Sequence, residues 1–327
     1  MNARAALLHE DLRLEVGERK LADVGPGEAR IRVEWAGLCG SDLHVMRTGA
    51  WVQEWPATLG HEVFGRVEEA GPALEIEDGT RVVLDSRLPC LGCEACARDP
   101  NTCPNIRFLG EARPGGFAAY TVVPGRSLHR VPEGLEGEDA VLAEPLAVVF
   151  HALNELTSVP ERTLVVGHGP MGALAHIELR RRHADLPVSV AEPARLRSEL
   201  AAALDADVRS SATEFPEGSF DLVIDAAGYG GVLGDAITVA APGATILALA
   251  ISDRPASIRP IELIEKRITL KGLNAFIDEL PEAIDLLAAE PWRYRPVITD
   301  AVSLDELPEI AATQLAEPEG VKVVIHP

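Results

Sequence analysis

Apolar residues fall along this chain in two rhythms, and the change from one to the other organises it. Up to about residue 145 they come in short, β-branched-rich stretches broken by glycine and proline, such as Ala-Arg-Ile-Arg-Val-Glu-Trp at 29–35 and Phe-Ala-Ala-Tyr-Thr-Val-Val at 117–123. That texture predicts an antiparallel β domain with long loops. From about 148 to 274 short apolar runs alternate with helical patterns. Thr-Leu-Val-Val at 163–166 leads into a glycine-rich turn and a helix, and Val-Ser-Val at 188–190 precedes a helix running through Leu204. Leu-Val-Ile-Asp at 222–225 and Thr-Ile-Leu-Ala-Leu at 245–249 follow. Such alternation predicts a parallel sheet with helices on both faces. After 274 the mixed texture returns and closes on the apolar strand Val-Lys-Val-Val-Ile at 321–325. The expected architecture is α/β: residues 1–147 form a β-rich domain, 148–274 an inserted nucleotide-binding domain, and 275–327 a return segment completing the first.

Composition removes several classes of function. With 327 residues, 47% of them hydrophobic and 25% charged, the chain is long and apolar enough for two sizeable cores, which excludes disorder and fibres as overall descriptions. The net charge of −21, from 51 acidic and 30 basic residues, repels phosphate backbones and anionic membranes. Neither nucleic acid nor membrane is an expected partner. No stretch approaches the ~18 apolar residues of a spanning helix, and no N-terminal run has signal-peptide order. A cytoplasmic protein is expected.

The nucleotide signal is Gly167-His-Gly169-Pro170-Met171-Gly172, directly after one predicted strand and directly before a predicted helix. In that context glycines permit a tight turn and let a helix N-terminus approach a pyrophosphate. Glu192, twenty residues beyond Gly172 at the end of the next strand, suits the two ribose hydroxyls and repels a 2′-phosphate, which favours NAD over NADP. Arg195 and Arg197 follow at once and suit either an adenine face or a phosphate.

The five cysteines divide into Cys39 alone and a cluster of Cys90, Cys93, Cys96 and Cys103. Four thiols at such spacing can wrap one structural zinc and leave no position open, and a reducing compartment favours metal over disulfides. Cys39 is followed by His61 and Glu62; a thiolate, an imidazole and one carboxylate would leave a zinc one exchangeable position.

Taken in order, Cys39-Gly-Ser-Asp-Leu-His44, Gly60-His-Glu62, the cysteine loop, Gly115-Gly-Phe-Ala-Ala-Tyr120, Glu144-Pro-Leu-Ala-Val148 and the Gly167 turn resemble the zinc-dependent medium-chain alcohol dehydrogenase family over nearly the whole chain. The Glu-Pro-Leu at 144–146 resembles its polyol, sorbitol and butanediol dehydrogenase branch. The resemblance implies a GroES-like catalytic domain with an inserted Rossmann domain, and an NAD(P)-dependent enzyme acting on CH-OH donors. It implies a catalytic zinc held by Cys39, His61 and one or both of Glu62 and Glu144, and a structural zinc held by the four clustered cysteines. Ser41 matches a relay hydroxyl, and His44 matches a histidine that passes the proton through the cofactor ribose toward solvent. The cofactor residues would be Gly167, Gly169, Pro170, Met171, Gly172, Glu192 and Arg197. One departure is the cysteine loop, with six residues between Cys96 and Cys103 where the family commonly has seven; the chain is also somewhat short.

The implied substrate is a secondary alcohol of a polyol, sugar or cyclitol, or its ketone. Segments 46–55 and 108–113 are expected to border it, offering Trp51, Trp55, Glu111 and Arg113. Two alternatives are a zinc-independent double-bond reductase of the same fold, which needs neither Cys39, His61 nor the cysteine loop, and a non-enzymatic nucleotide-binding protein, which needs no relay. A homodimer or homotetramer pairing edge strands of the nucleotide domain is implied, with 245–251 and 267–273 as the candidate edges.

Overall fold

The computed structural model describes residues 2–318 and 320–327. Two compact units divide the chain, one comprising residues up to 147 with 275–317 and 322–327, the other 148–274 with 318–321.

The first unit is built on a seven-stranded sheet in the order Ile298–Ser303, Lys322–His326, Glu28–Leu38, Glu62–Ala70, Arg81–Leu84, Leu128–Arg130, with Tyr120–Pro124 also paired to the 28–38 strand. Alternation drives the long central strand: Ala29, Ile31 and Val33 are buried while Arg32 is exposed. Burying Ile31 and Val33 stabilises the fold by about 1.5–3 kcal/mol each. Two expectations need correction. The sheet is not antiparallel throughout, because 298–303 and 322–326 run parallel; the Leu307–Ala316 helix makes the crossover that a parallel pair requires. The strand expected at 117–123 begins only at Tyr120. Phe117 is fully buried, and its carbonyl accepts from the N–H of Ala6, while the N–H of Ala119 donates to the carbonyl of Arg4. These residues dock the hairpin of Asn2–Leu8 and Leu14–Lys20 before the segment joins the sheet, where the Ala119 carbonyl accepts from the N–H of Val33 at 3.0 Å.

The second unit is a six-stranded, all-parallel Rossmann-like sheet ordered 207–209, 188–191, 163–166, 220–225, 240–248, 269–272. The order reverses at Thr163–Val166, so the crevice at the carboxyl end of that strand is where such a sheet binds a nucleotide. Of the two candidate edges, the first is strand only as far as Ala248, and that strand is paired on both sides and internal; Thr269–Gly272 is the edge. Alternating hydrophobicity reveals a strand but not its place in the sheet. Among the described residues no helix is long and apolar enough to cross a membrane.

Candidate active site and metal centres

The 28–38 strand ends at Cys39, which stands in extended conformation at the head of the helix Gly40–Thr48. The 62–70 strand lies antiparallel beside it with Gly37 opposite Glu62, so the register carries His61 alongside Cys39. Asp42, buried in the first turn of the helix, ties the two segments together. Its Oδ2 accepts from the N–H of Cys39 at 3.0 Å, and its Oδ1 accepts from the N–H of Gly60 at 3.2 Å and lies 3.3 Å from His61 Nδ1. That orients the imidazole and leaves Nε2 free to bind a metal. Ligand atoms of Cys39, His61 and Glu62 all lie within 4.8 Å of one another. Ser41 Oγ is 3.4 Å from His61 Nε2. His44 is buried, not on the surface; its ring centroid lies 5.0 Å from that of Trp51, and its Nδ1 has no hydrogen-bond partner. Glu144 sits in the first turn of Ala143–Asn154, buried, where its Oε1 accepts from Ser86 Oγ at 3.3 Å.

Electrostatics at this site call for a cation. Burial pushes the Glu144 carboxyl up to about 7, with His61 opposing and Glu62 reinforcing the shift. Burial works against charge on His61, yet Asp42 and Cys39 hold its pKa well above the usual imidazole range. A thiol, an imidazole and the buried carboxyl of Glu62, with that of Glu144 nearby, are the donor set that zinc accepts. Of the residues expected to border the substrate, Glu111 is pushed up to about 7 by burial and feels both His61 and Asp42. Arg113 is engaged elsewhere, in an ion pair with Glu28 at 2.6 Å. Two functional neighbours had not been singled out from sequence. Asp42 at the third helical position after Cys39 is one. The other is Lys322, fully buried and ion-paired to Glu62; a lysine inside an apolar strand was the available signal.

The cysteine loop passes a geometric test. Zinc–sulfur bonds of about 2.3 Å in a tetrahedron separate the sulfurs by about 3.8 Å. Here Cys90 and Cys96 are 3.8 Å apart, Cys93 and Cys96 3.4 Å, and Cys90 and Cys103 3.6 Å. None is bridged. The N–H of Gly92 and the adjoining thiols draw Cys90 down to about 6, whereas burial and the same neighbours push Cys96 up to about 12. Four thiols this close ionise together only around a cation. The short spacing is absorbed by a 3₁₀ turn at Pro100–Thr102, capped by Asp99, which accepts from the N–H of Asn101 at 2.8 Å and returns the chain at Cys103.

In the second unit Gly167 takes φ 85°, a conformation that favours glycine. A Cβ on Gly172 would stand 1.9 Å from the Gly167 carbonyl oxygen, so glycine lets the helix pack on its strand. Gly169 caps the helix Pro170–Arg182, with Pro170 and Met171 opening it. Glu192 is buried at the end of its strand, its two oxygens accepting from the N–H of His168 at 2.7 Å and of Ala194 at 2.9 Å. Arg197 donates from Nε to the carbonyl of Gly320 at 2.9 Å, and its Nη1 would lie 3.5 Å from a Cβ on Gly169.

Beneath this turn His168 Nε2 and His176 Nδ1 meet at 3.2 Å, both rings fully buried. Burial and the facing ring push His168 down to about 3; burial and Arg180 push His176 down to about 4. Folding therefore keeps both neutral where the unfolded chain takes up protons. Their stabilisation is complete above pH ~6.5 and is lost as the pH falls toward 4, by up to about 2 kcal/mol per histidine between pH 6.5 and 5. His176→Leu is expected to flatten this acid limb in thermal unfolding measured from pH 7 to 5. An equally steep limb in the variant would refute the assignment.

Comparison with known proteins agrees with this arrangement. The family profile described as alcohol dehydrogenase GroES-like domain matches residues 25–133. The chain is 30% identical to the starvation-sensing protein RspB of Escherichia coli, over 93% of this chain and 95% of that one. It is 29% identical to D-altritol 5-dehydrogenase of Agrobacterium fabrum, over 95% and 96%. The solved structure of 2R,3R-butanediol dehydrogenase from Bacillus subtilis superposes with a TM-score of 0.88 at 26% identity, covering 99% of each chain.

Proposed function

Because the chain belongs to the zinc-containing medium-chain alcohol dehydrogenase family, we propose that it oxidises a secondary alcohol of a polyol, sugar or cyclitol, or reduces the matching ketone, using NAD in preference to NADP. The observation that carries this reading is the convergence of Cys39, His61 and Glu62 within 4.8 Å, with Ser41 Oγ 3.4 Å from His61 Nε2. The polyol preference draws on Glu144 at the start of its helix and on the altritol and butanediol relatives.

Cys39 and His61, with Glu62 or Glu144, would hold the zinc, which supplies the electrophile that eases loss of a hydroxyl proton, while the nicotinamide supplies the hydride acceptor. The remaining work belongs to side chains. Asp42 fixes the imidazole of His61. Ser41 receives the substrate proton as it gives up its own, and His44, one turn along the same helix face, offers the unpartnered Nδ1 as the next acceptor. Trp51 against His44 provides an apolar wall. Gly167, Gly169, Pro170, Met171 and Gly172 approach the pyrophosphate, Glu192 takes the ribose hydroxyls, and Arg197 lines the turn.

The five unbridged thiols fit a reducing, cytoplasmic setting. A homodimer or homotetramer through the 269–272 edge is supported by Leu270, an exposed apolar residue of that strand.

The test is a panel of polyols, sugars, cyclitols and their ketones, run with NAD and NADP in parallel and followed at the nicotinamide absorbance. Turnover of polyols with NAD supports the proposal; a zinc-replete protein inert across the panel sinks it. In the same assay Glu192→Ala should raise KM for NAD by about 10- to 100-fold, the worth of hydrogen bonds to a charged group, while changing KM for NADP less.

A further inference from the structure

An open zinc site takes three ligands; Cys39, His61 and Glu62 bring ligand atoms within 4.8 Å of one another, and the buried Glu144 carboxyl feels both His61 and Glu62. Among the described residues, Glu62 has a lysine ion-paired to it. Lys322 is 0% exposed, forms an ion pair with Glu62 Oε2 and donates from Nζ to the carbonyl of Leu38 at 3.0 Å, one residue before Cys39. The packing reserves room for this pair. A Cβ on Gly37 would fall 1.8 Å from Glu62 Oε2 and 2.9 Å from Lys322 Cε, so the central strand carries glycine where the carboxylate and ammonium stem meet.

Charge favours the pairing as well. Cys39, Asp42, Glu62 and Glu144 bring acidic groups into the core, and Lys322 is the ammonium set among them. A buried ammonium offsets part of the desolvation penalty of those groups.

We propose that Lys322 is a positioning residue that competes with the metal for the Glu62 carboxylate, weakening its hold on zinc and keeping one coordination position exchangeable. This rests on zinc occupying the Cys39 and His61 site, as in the function proposed above. The lysine needs no contact with substrate or cofactor; it acts through Glu62. Without it, Glu62 would face the metal alone, and the site would carry one more net negative charge.

The test is release of zinc from the purified, zinc-loaded protein to an excess of a colorimetric chelator, together with the visible spectrum of the cobalt-substituted protein with and without azide. Lys322→Met is expected to slow release from the catalytic site by about 10- to 100-fold, the range over which groups behind the ligands tune affinity, and to blunt the spectral response to azide. Lys322→Gln, which keeps a polar head, serves the same test should the methionine variant fold poorly. In a Glu62→Gln background the lysine substitution should change neither reading, because the two groups act as one unit. Unchanged or faster release in a folded Lys322 variant overturns the proposal, as does an effect that persists without Glu62. Absence of zinc from the wild-type site overturns the metal reading itself, a result the initial zinc content distinguishes.

Discussion

Replacing Cys39 with serine is expected to empty the catalytic metal site and lower kcat/KM by on the order of 10³-fold or more, with little change in folding. The reason is ligand chemistry. A thiolate is a soft anion that zinc holds well, while a serine hydroxyl stays protonated near neutrality and binds it poorly. Loss of the electrophile removes several kcal/mol of charge stabilisation, and about 4 kcal/mol corresponds to 10³-fold. The fold should survive because position 39 heads the Gly40–Thr48 helix in extended conformation, a place serine fills well, and the N–H bonded to Asp42 belongs to the backbone. Elemental analysis should show half the zinc retained, and nicotinamide-linked turnover should be lost. A serine variant that keeps its full zinc content and activity would refute the assignment of Cys39.

Cys103→Ser should do the opposite: a large loss of stability with turnover per folded molecule kept. Cys103 is the most buried of the four clustered thiols, and its Sγ accepts from the N–H of Cys90 at 3.5 Å. Three remaining thiols do not close a tetrahedron. The loop they release is tied to the body of the catalytic unit: Leu88 and Arg107 exchange backbone hydrogen bonds, Asn101 Nδ2 donates to the carbonyl of Phe276 at 2.8 Å, and Arg87 Nη2 donates to that of Ile277 at 2.9 Å. Unfastening the loop should cost about 3 kcal/mol, in the range that loss of a metal brings. That lowers the thermal midpoint by roughly 6–12 °C, at 2–4 °C per kcal/mol. Calorimetry with zinc analysis checks it. Equal loss of folding in the Cys39 and Cys103 variants would abolish the division into a chemical and a structural site.

How much was legible depended on how local the cause was. The strands at 163–166, 188–191 and 220–225 and the turn between Gly167 and Gly172 follow from short apolar runs and from glycines with steric reasons of their own. The cysteine cluster was equally open to reading, since its four thiols lie within one loop. Phe117 shows where legibility stops. Its segment has strand composition, but its backbone bonds go to Ala6 and Leu59, partners no local pattern names. The 240–248 strand looks like any other until two neighbours make it internal. Asp42 and Lys322 were overlooked for a related reason: one reads as a helix-start acid and the other as a stray charge, and only their partners give them work.

By itself, then, the sequence determined the two rhythms, the cofactor turn and the types of ligand available, because periodicity, glycine and thiol chemistry act over a few residues. Tertiary structure decided which ligands meet. Cys39 reaches His61 through the antiparallel register of two strands, Glu144 arrives on a helix eighty residues further on, and Lys322 comes from the last strand of the chain. Burial then converts these meetings into chemistry. In a low-dielectric core burial raises the Glu144 carboxyl and the Glu62 carboxylate helps hold the Lys322 ammonium, and no residue's neighbours in sequence could have said so.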